Sequence, residues 1–209
     1  MQTHLDANLV RIAYAFASTE ETRYYLNGVN VEPAPNGDGA VITATDGHRL
    51  FSAIDRSAMI DPDAKPFVLQ VPKDALKLCR PKKDARRIIV NHATLTATIH
   101  AVDSDIVGDV QQTKPVSAPF DCIIDGTFPD WRRVMPGQLD ATASTSFEGK
   151  YLASFAAAGD ELAKHEFNGA NITTTQILSA STNAPAWIRW SGIDDAFGVL
   201  MPKIMPHKP

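Results

Sequence analysis

Three times along the chain an amphipathic helical stretch is followed by short runs rich in β-branched and aromatic residues. That recurrence constrains the fold more than any single motif does. The first round opens with ANLVRIAYAFAST, residues 7–19, where Leu9, Ile12, Ala13 and Phe16 fall at helical spacing. Strands are expected at Arg23–Glu32, at AVITAT and at RLFSAID, with the turn-forming PAPNGDG after the first of them. The second round has FVLQV as a strand and PKDALKLC as a helix with proline in its first turn, then RRIIVN, TLTATIHA and DIVGDV as strands. FPDWRRVMP, bracketed by Pro129 and Pro136, reads as a connector. The third round begins with TASTSF as a strand and EGKYLASFAAAGDELAKH as a helix bearing Tyr151, Leu152, Phe155 and Leu162 on its apolar side. ITTTQILSAS, AWIRWS and FGVLMPKI supply its remaining strands. Helix and sheet in each round need one another for burial, so the expected class is α+β, with helices on one face of curved antiparallel sheets.

A chain of 209 residues, 44% hydrophobic and 21% charged, suits one full domain with a smaller attachment. No apolar run approaches the ~20 residues that cross a bilayer. MQTHLDANLV lacks the basic and continuously apolar segments of a secretory signal, so a cytoplasmic location is expected. Cys79 and Cys122 stand far apart without CxxC spacing, and the histidines are scattered; a reduced, packed role and no metal or cofactor are expected. The formal charge of −4 argues against nucleic-acid binding driven by overall charge. Its distribution is uneven: residues 73–87 carry seven cations against two anions, a net +5, leaving −9 for the remainder. Such a strip is either a phosphate-facing surface or a solvated helix with its flanking loop.

The cluster Asp46-Gly47-His48-Arg49 lies between two expected strands. As a catalytic site it would supply a base, an acid and an anion clamp. Acid–base chemistry, however, needs groups converging from several segments, and no GxSxG, Walker A, GxGxxG or metal-binding signature accompanies it. As a turn it needs nothing more: Asp46 caps its own backbone, Gly47 supplies an unusual dihedral, and His48 and Arg49 project from the next strand. An enzyme using His48 with Asp46 is therefore the disfavoured reading.

RYYLNGV, ATDGHRL, FPDWRRVMP and VLMPKIM, in that order, resemble the bacterial DNA polymerase III β subunit, the sliding-clamp family. The resemblance implies a DNA-clamp architecture in which helices line a hole around duplex DNA and sheets form the outer wall. Residues 1–136 are similar to a complete middle clamp domain, and 137–209 to the second half of the last. On this reading the first domain and half of the last are missing, together with the contacts that close the family's ring.

The resemblance also implies a pocket for short clamp-binding motifs of polymerase and other replication or repair proteins. Its lining maps onto Leu26, Thr45, Gly47, His48, Arg49, Leu50, Pro129, Val134, Tyr151, Val199, Met201 and Pro202. Apolar walls would provide area, Met201 adaptability, and His48 or Arg49 orientation. Arg23, Tyr24, Tyr25, Lys73, Lys77, Arg80 and Lys150 would meet phosphates of duplex DNA weakly and without sequence preference, opposed by Glu20 and Glu21. Lys82, Lys83, Arg86 and Arg87 read as loop and strand-edge charges. Two departures are Gly198, where the family often carries a larger side chain, and the ending KIMPHKP. The leading expectation is a shortened clamp-like processivity factor, with closure as a homo-oligomer open to it. The alternative is a non-ring adaptor or decoy that captures clamp-binding motifs.

Overall fold

The computed structural model describes residues 1–81, 84–102, 113–137, 145–166, 174–179 and 181–203. Its chain forms two compact units, Met1–Ala44 with Ala53–Phe128, and Thr45–Ser52 with Pro129–Pro209. The segment holding the DGHR turn thus belongs with the carboxyl-terminal part of the chain.

In the first unit, β1 (Gln2–Asp6) runs into α1 (Ala7–Tyr14). There follow β2 (Val29–Pro33), β3 (Ala40–Thr45), the last three residues of β4 (Arg49–Asp55), β5 (Phe67–Leu69), α2 (Lys73–Leu78), β6 (Arg86–Asn91) and β7 (Thr96–Ala101). Short strands β8 (Lys114–Pro115), β9 (Phe120–Asp121) and β10 (Ile123–Ile124) complete it. One antiparallel sheet has the order β1–β6–β7–β8 with β9 also on β7, and a second run has the order β10–β5–β2–β3. Leu5, Ile88 and Ile99 form one cross-strand row of the first sheet and are fully buried, while α1 packs against β6.

A buried carboxylate ties this unit's start to its middle. Asp6 caps α1 by accepting the Leu9 N–H at 2.8 Å, and its own N–H donates to Asp55 Oδ2 at 2.6 Å. Asp55, only 1% exposed, also accepts from the Ser57 N–H at 3.0 Å and the Ser57 hydroxyl at 2.7 Å. Asp55→Ala leaves those donors without an acceptor. It is expected to cost about 2 kcal/mol, read as a lower urea midpoint at unchanged slope; an unmoved midpoint would show that the Asp55 bonds contribute nothing net.

The second unit consists of Arg49–Ser52 from β4, a 3-10 turn at Trp131–Val134, α3 (Gly149–Glu166), β11 (Thr175–Ser179), β12 (Ala186–Trp190) and β13 (Ile193–Leu200). Its strands lie in the order β4–β13–β12–β11. Phe51, Phe155, Leu162, Ile188 and Leu200 are completely or almost completely buried beside Trp190, whose indole N–H donates to the Phe155 carbonyl at 3.1 Å.

The α+β class is as expected; several boundaries are not. The strand expected from Arg23 starts only at Val29, and Glu21–Leu26 is a 3-10 turn. Local bonds win over the β preference of the tyrosines there: Glu20 takes the Arg23 guanidinium at 2.7 and 2.9 Å, and the Asn27 N–H returns to the Tyr24 carbonyl at 2.9 Å. Helix α1 ends at Tyr14, five residues before the expected 19, although Phe16 remains fully buried beyond it. β1 was not foreseen. Residues 145–147 of the expected TASTSF strand are irregular, residues 142–144 lie outside the described residues, and so do the expected strand DIVGDV and the cations Lys82 and Lys83.

Candidate functional site

Bonds among residues 45–49 shape the DGHR turn. Asp46 Oδ1 accepts the N–H groups of His48 and Arg49 at 2.9 and 3.1 Å, and its Oδ2 takes Arg49 Nε at 3.0 Å. Thr45 Oγ1 donates to the Arg49 carbonyl at 2.7 Å and accepts the Gly47 N–H at 3.0 Å. Gly47 sits at φ 89°, a left-handed conformation that disfavours any side chain. With both oxygens of Asp46 so engaged, His48 is left exposed on the crest of the turn.

Helix α3 brings Tyr151 to this crest. The His48 and Tyr151 rings stack with centroids 5.8 Å apart and planes 15° apart. Arg49 Cζ lies 5.2 Å and Lys150 Nζ 4.8 Å from the Tyr151 centroid, so one aromatic ring is shared by an imidazole and two cations. The end of β13 closes the group: the Met201 N–H donates to the His48 carbonyl at 3.0 Å. Beyond it, the Lys203 N–H donates to the Ser146 carbonyl at 2.7 Å, and its ammonium pairs with Glu148. That hydrogen bond and charge hold the Glu148 carboxyl below its usual range. The carboxyl-terminal strand end is thereby tied to both the turn and the start of α3.

Among the other residues expected to line a pocket, the structure separates surface from packing. Met201 and Val134 are 36% and 39% exposed, Pro129 is exposed, and Tyr151 and Pro202 are half-buried. Leu50 and Val199, at 2% each, are packing residues of the second unit and offer no surface of their own; Thr45 is also buried. Leu26 belongs to the first unit and is 4% exposed. Sequence reasoning missed Lys150 as a partner of Tyr151, a pair adjacent in sequence but unremarkable until α3 shows its face. It also missed the clamp-like hold of Lys203 on Glu148.

The residues expected at DNA are differently engaged. In the first unit, Tyr24 is 52% exposed and stands edge-on to Tyr25 at 5.9 Å. Gly126 lets both approach, since a Cβ there would lie 2.9 Å from Tyr25 Cβ. Arg23 is ion-paired with Glu20, and Lys77 with Asp74 at 2.7 Å, a bond that lowers the Asp74 pKa. Lys73 opens α2, Arg80 lies just past its end, and both are exposed. Lys150, in the second unit, is exposed.

Nothing in the described residues points to a redox or metal centre. Cys79 and Cys122 are buried and not disulfide-bonded, and burial pushes their thiols up to about 12 and about 11. Among the described residues no set of three His, Cys, Asp or Glu side chains is placed to hold a metal ion, and no helix is long and apolar enough to cross a membrane.

The sequence pattern described as "DNA polymerase III beta subunit, central domain" matches residues 2–130. The beta sliding clamp of Pseudomonas putida is 31% identical over 138 residues, which cover 65% of this chain and 32% of that protein. That of Vibrio cholerae is 28% identical over 153 residues, covering 70% and 36%. The chain thus spans about a third of the length of these curated relatives. Among solved structures, the sliding clamp of Pseudomonas aeruginosa with ligand matches with TM-score 0.64 at 18% identity, over 98% of this chain and 66% of that one. The DnaN clamp of Bartonella birtlesii bound to griselimycin gives 0.63 at 20% identity, with the same coverage. At these identities the structural likeness is one of fold.

Proposed function

Because the chain belongs to the DNA polymerase III beta subunit family, we propose that it is a sliding-clamp-like processivity factor whose second unit docks short clamp-binding peptides of polymerase and other replication proteins. The family is one of clamps and not of enzymes, and the DGHR turn is accordingly a docking element with no catalytic role. The observation that carries the reading is the platform of His48 stacked on Tyr151, ringed by Arg49 and Lys150 and bordered by exposed Met201. An apolar and aromatic surface with cations at its rim suits a segment carrying apolar anchors beside acidic or backbone-carbonyl groups. Leu50 and Val199 support that platform from within the unit.

The domain arrangement proposed is a complete middle-type clamp domain over 1–136 and a half domain over 137–209. Arg23, Tyr24, Tyr25, Lys73, Lys77, Arg80 and Lys150 are the proposed contacts to duplex DNA, through phosphates alone. Retention on DNA by phosphate contact falls steeply with salt, whereas a closed ring on a nicked circle persists until the circle is cut.

Self-association is part of the proposal. β11 lies at the end of its strand order, with Ile177 43% and Leu178 36% exposed, and an apolar edge of this kind invites a further strand. Sedimentation at micromolar chain concentration is expected to give a multimer. A monomer at all concentrations would overturn ring closure. The adaptor that captures clamp-binding motifs without encircling DNA would then be the surviving reading, and the pairing of Arg23 with Glu20 and of Lys77 with Asp74 favours it.

A further inference from the structure

The face of the β4–β13–β12–β11 sheet opposite to α3 carries a row of aromatic rings and arginines, wholly within the second unit and sharing no residue with the His48–Tyr151 platform. The register explains which side chains stand there. Ala186, Ile188 and Trp190 are buried on the α3 side, where the Trp190 indole meets the Phe155 carbonyl and a Cβ at Gly198 would strike Phe155. Alternation therefore turns Trp187 and Arg189 to the opposite side, and their directly paired neighbours on β11, Leu178 and Gln176, stand beside them. Phe197, next to Gly198 on β13, meets Trp187 edge-on at 5.1 Å, and Trp131 flanks Phe197 at 6.1 Å.

Arg189 is the unusual member of the row. Its Cζ lies 4.9 Å from the Trp187 ring centroid and 5.4 Å from that of Phe197, so two rings hold the guanidinium. Among the described residues no carboxylate, carbonyl or hydroxyl takes its N–H groups, Asp194 and Asp195 of β13 included. Those groups are open to solvent: Arg189 is half-buried, and none of its nitrogens is sealed off. Arg11, Arg23 and Arg49, by contrast, are each tied to a side-chain oxygen. A guanidinium laid on rings with its donors outward is prepared for a two-point hold on a carboxylate or phosphate, with little side-chain freedom left to lose on binding. Exposed Gln176 adds an amide at its side, and Leu178, 36% exposed, an apolar neighbour to Trp187. Arg132, whose Cζ lies 4.3 Å from the Trp131 centroid, places a second positive charge at the far end of the row.

The rings decide between the two anions. A nucleic-acid strand stacks its bases on open ring faces along a track of cations, whereas here Arg189 and Arg132 already lie over the three rings. An extended polypeptide needs only what is present. Arg189 and Trp187 sit two residues apart on β12, about 7 Å along the strand, the spacing at which an extended peptide presents side chains i and i+2 on one side. We propose that this face docks an extended acidic segment of a partner protein. An Asp or Glu carboxylate is held by Arg189, and an apolar side chain two residues away lies against Trp187 and Leu178. The surface is independent of peptide docking at the platform and of DNA contact, and stands or falls without either.

The probe is a peptide with blocked ends, a neutral fluorophore and the core Leu-Ser-Asp, in which leucine and aspartate share one side when extended. Its anisotropy on titration with the whole chain is expected to saturate. Replacing the probe's aspartate by asparagine should weaken binding at least about tenfold, the effect of one charge-assisted pair. Moving the acid next to the leucine, as Leu-Asp-Ser, should weaken it as well. Arg189→Gln should lose the same factor, and Arg189→Lys, which keeps the charge but not the planar fork, should recover little of it. Neither variant removes a hydrogen bond from the described chain, and circular dichroism checks the fold of each. Tyr151→Ala should leave the probe's affinity unchanged, which separates this face from the platform. The proposal is overturned if the probe does not saturate, if the asparagine probe binds equally well, or if Arg189→Gln binds as the unaltered chain does. Oligothymidylate that competes as well as the acidic peptide would overturn it in favour of nucleic acid. An Arg189→Gln chain that sediments as a smaller species than the unaltered one would overturn it in favour of contact between copies.

Discussion

Gly198→Leu should unfold the second unit under conditions where the unaltered chain is stable, and peptide docking should disappear with it. A Cβ at Gly198 would lie 2.2 Å from Phe155 Cε1 and 3.1 Å from Ile188 Cβ, on the face of β13 turned toward α3. Phe155 is fully buried, and its carbonyl is held by the Trp190 indole, so neither ring nor backbone can give way without loss elsewhere. Overpacking of this kind costs about 3 kcal/mol, a large share of a small domain's stability. Gly198→Ala introduces only the clashing atom and should already lower the unfolding midpoint. Because the clash is with one ring, Phe155→Leu in the Gly198→Ala background should restore part of the loss, although Phe155→Leu alone opens a cavity and destabilises. Calorimetry of the four chains checks this. Strictly additive losses would show that Phe155 is not what fills the space above Gly198. The volume absent from β13 at Gly198 is thus supplied by Phe155 of α3.

What could be read from the sequence follows the range of the interactions involved. The DGHR turn was legible because the bonds that shape it run from Thr45 to Arg49, and Asp-Gly chemistry announces them. Helix α3 was legible because Phe155 and Leu162 repeat at helical spacing over many turns. β1 was not, because its partner β6 lies more than eighty residues away and QTHLD carries no apolar signal except Leu5. The turn at Glu21–Leu26 was misread because Tyr24 and Tyr25 carry a strand preference that the Glu20–Arg23 pair and the Asn27 bond override. For the candidate site, the motifs pointed to residues that the second unit places side by side, His48, Tyr151 and Met201, but not to which side chains face outward. Leu50 and Val199 belong to the same motifs as His48 and Met201, yet they lie within continuously buried runs of β4 and β13, residues 50–53 and 198–200, while His48 and Met201 stand just outside the strand ends. Burial of that kind depends on what covers each face of the sheet, a fact of tertiary packing that motif order does not carry.

The functional counterpart is Tyr151→Ala, which should lower affinity for a fluorescent clamp-binding peptide by about 2 kcal/mol, roughly thirtyfold, with the fold intact. Tyr151 lies in the first turn of α3, where alanine is a good helix former, and it is only half-buried, so folding loses little. What it removes is the ring against which His48 stacks and over which Arg49 and Lys150 sit. Without it those three side chains lose their common support and the platform loses its orientation. Tyr151→Phe separates the ring from the hydroxyl: if stacking and cation–π contact hold the platform, the phenylalanine variant binds like the unaltered chain. Met201→Ala should act more mildly, since it trims one flexible wall and leaves the Met201 N–H bond to the His48 carbonyl in place. Peptide anisotropy on the three variants, with circular dichroism confirming the fold of each, reads the outcome directly. Unchanged affinity in Tyr151→Ala would remove the platform from peptide recognition while leaving family membership and fold as they stand. A folded Tyr151→Phe that binds as poorly as Tyr151→Ala would transfer the role from the ring to its hydroxyl.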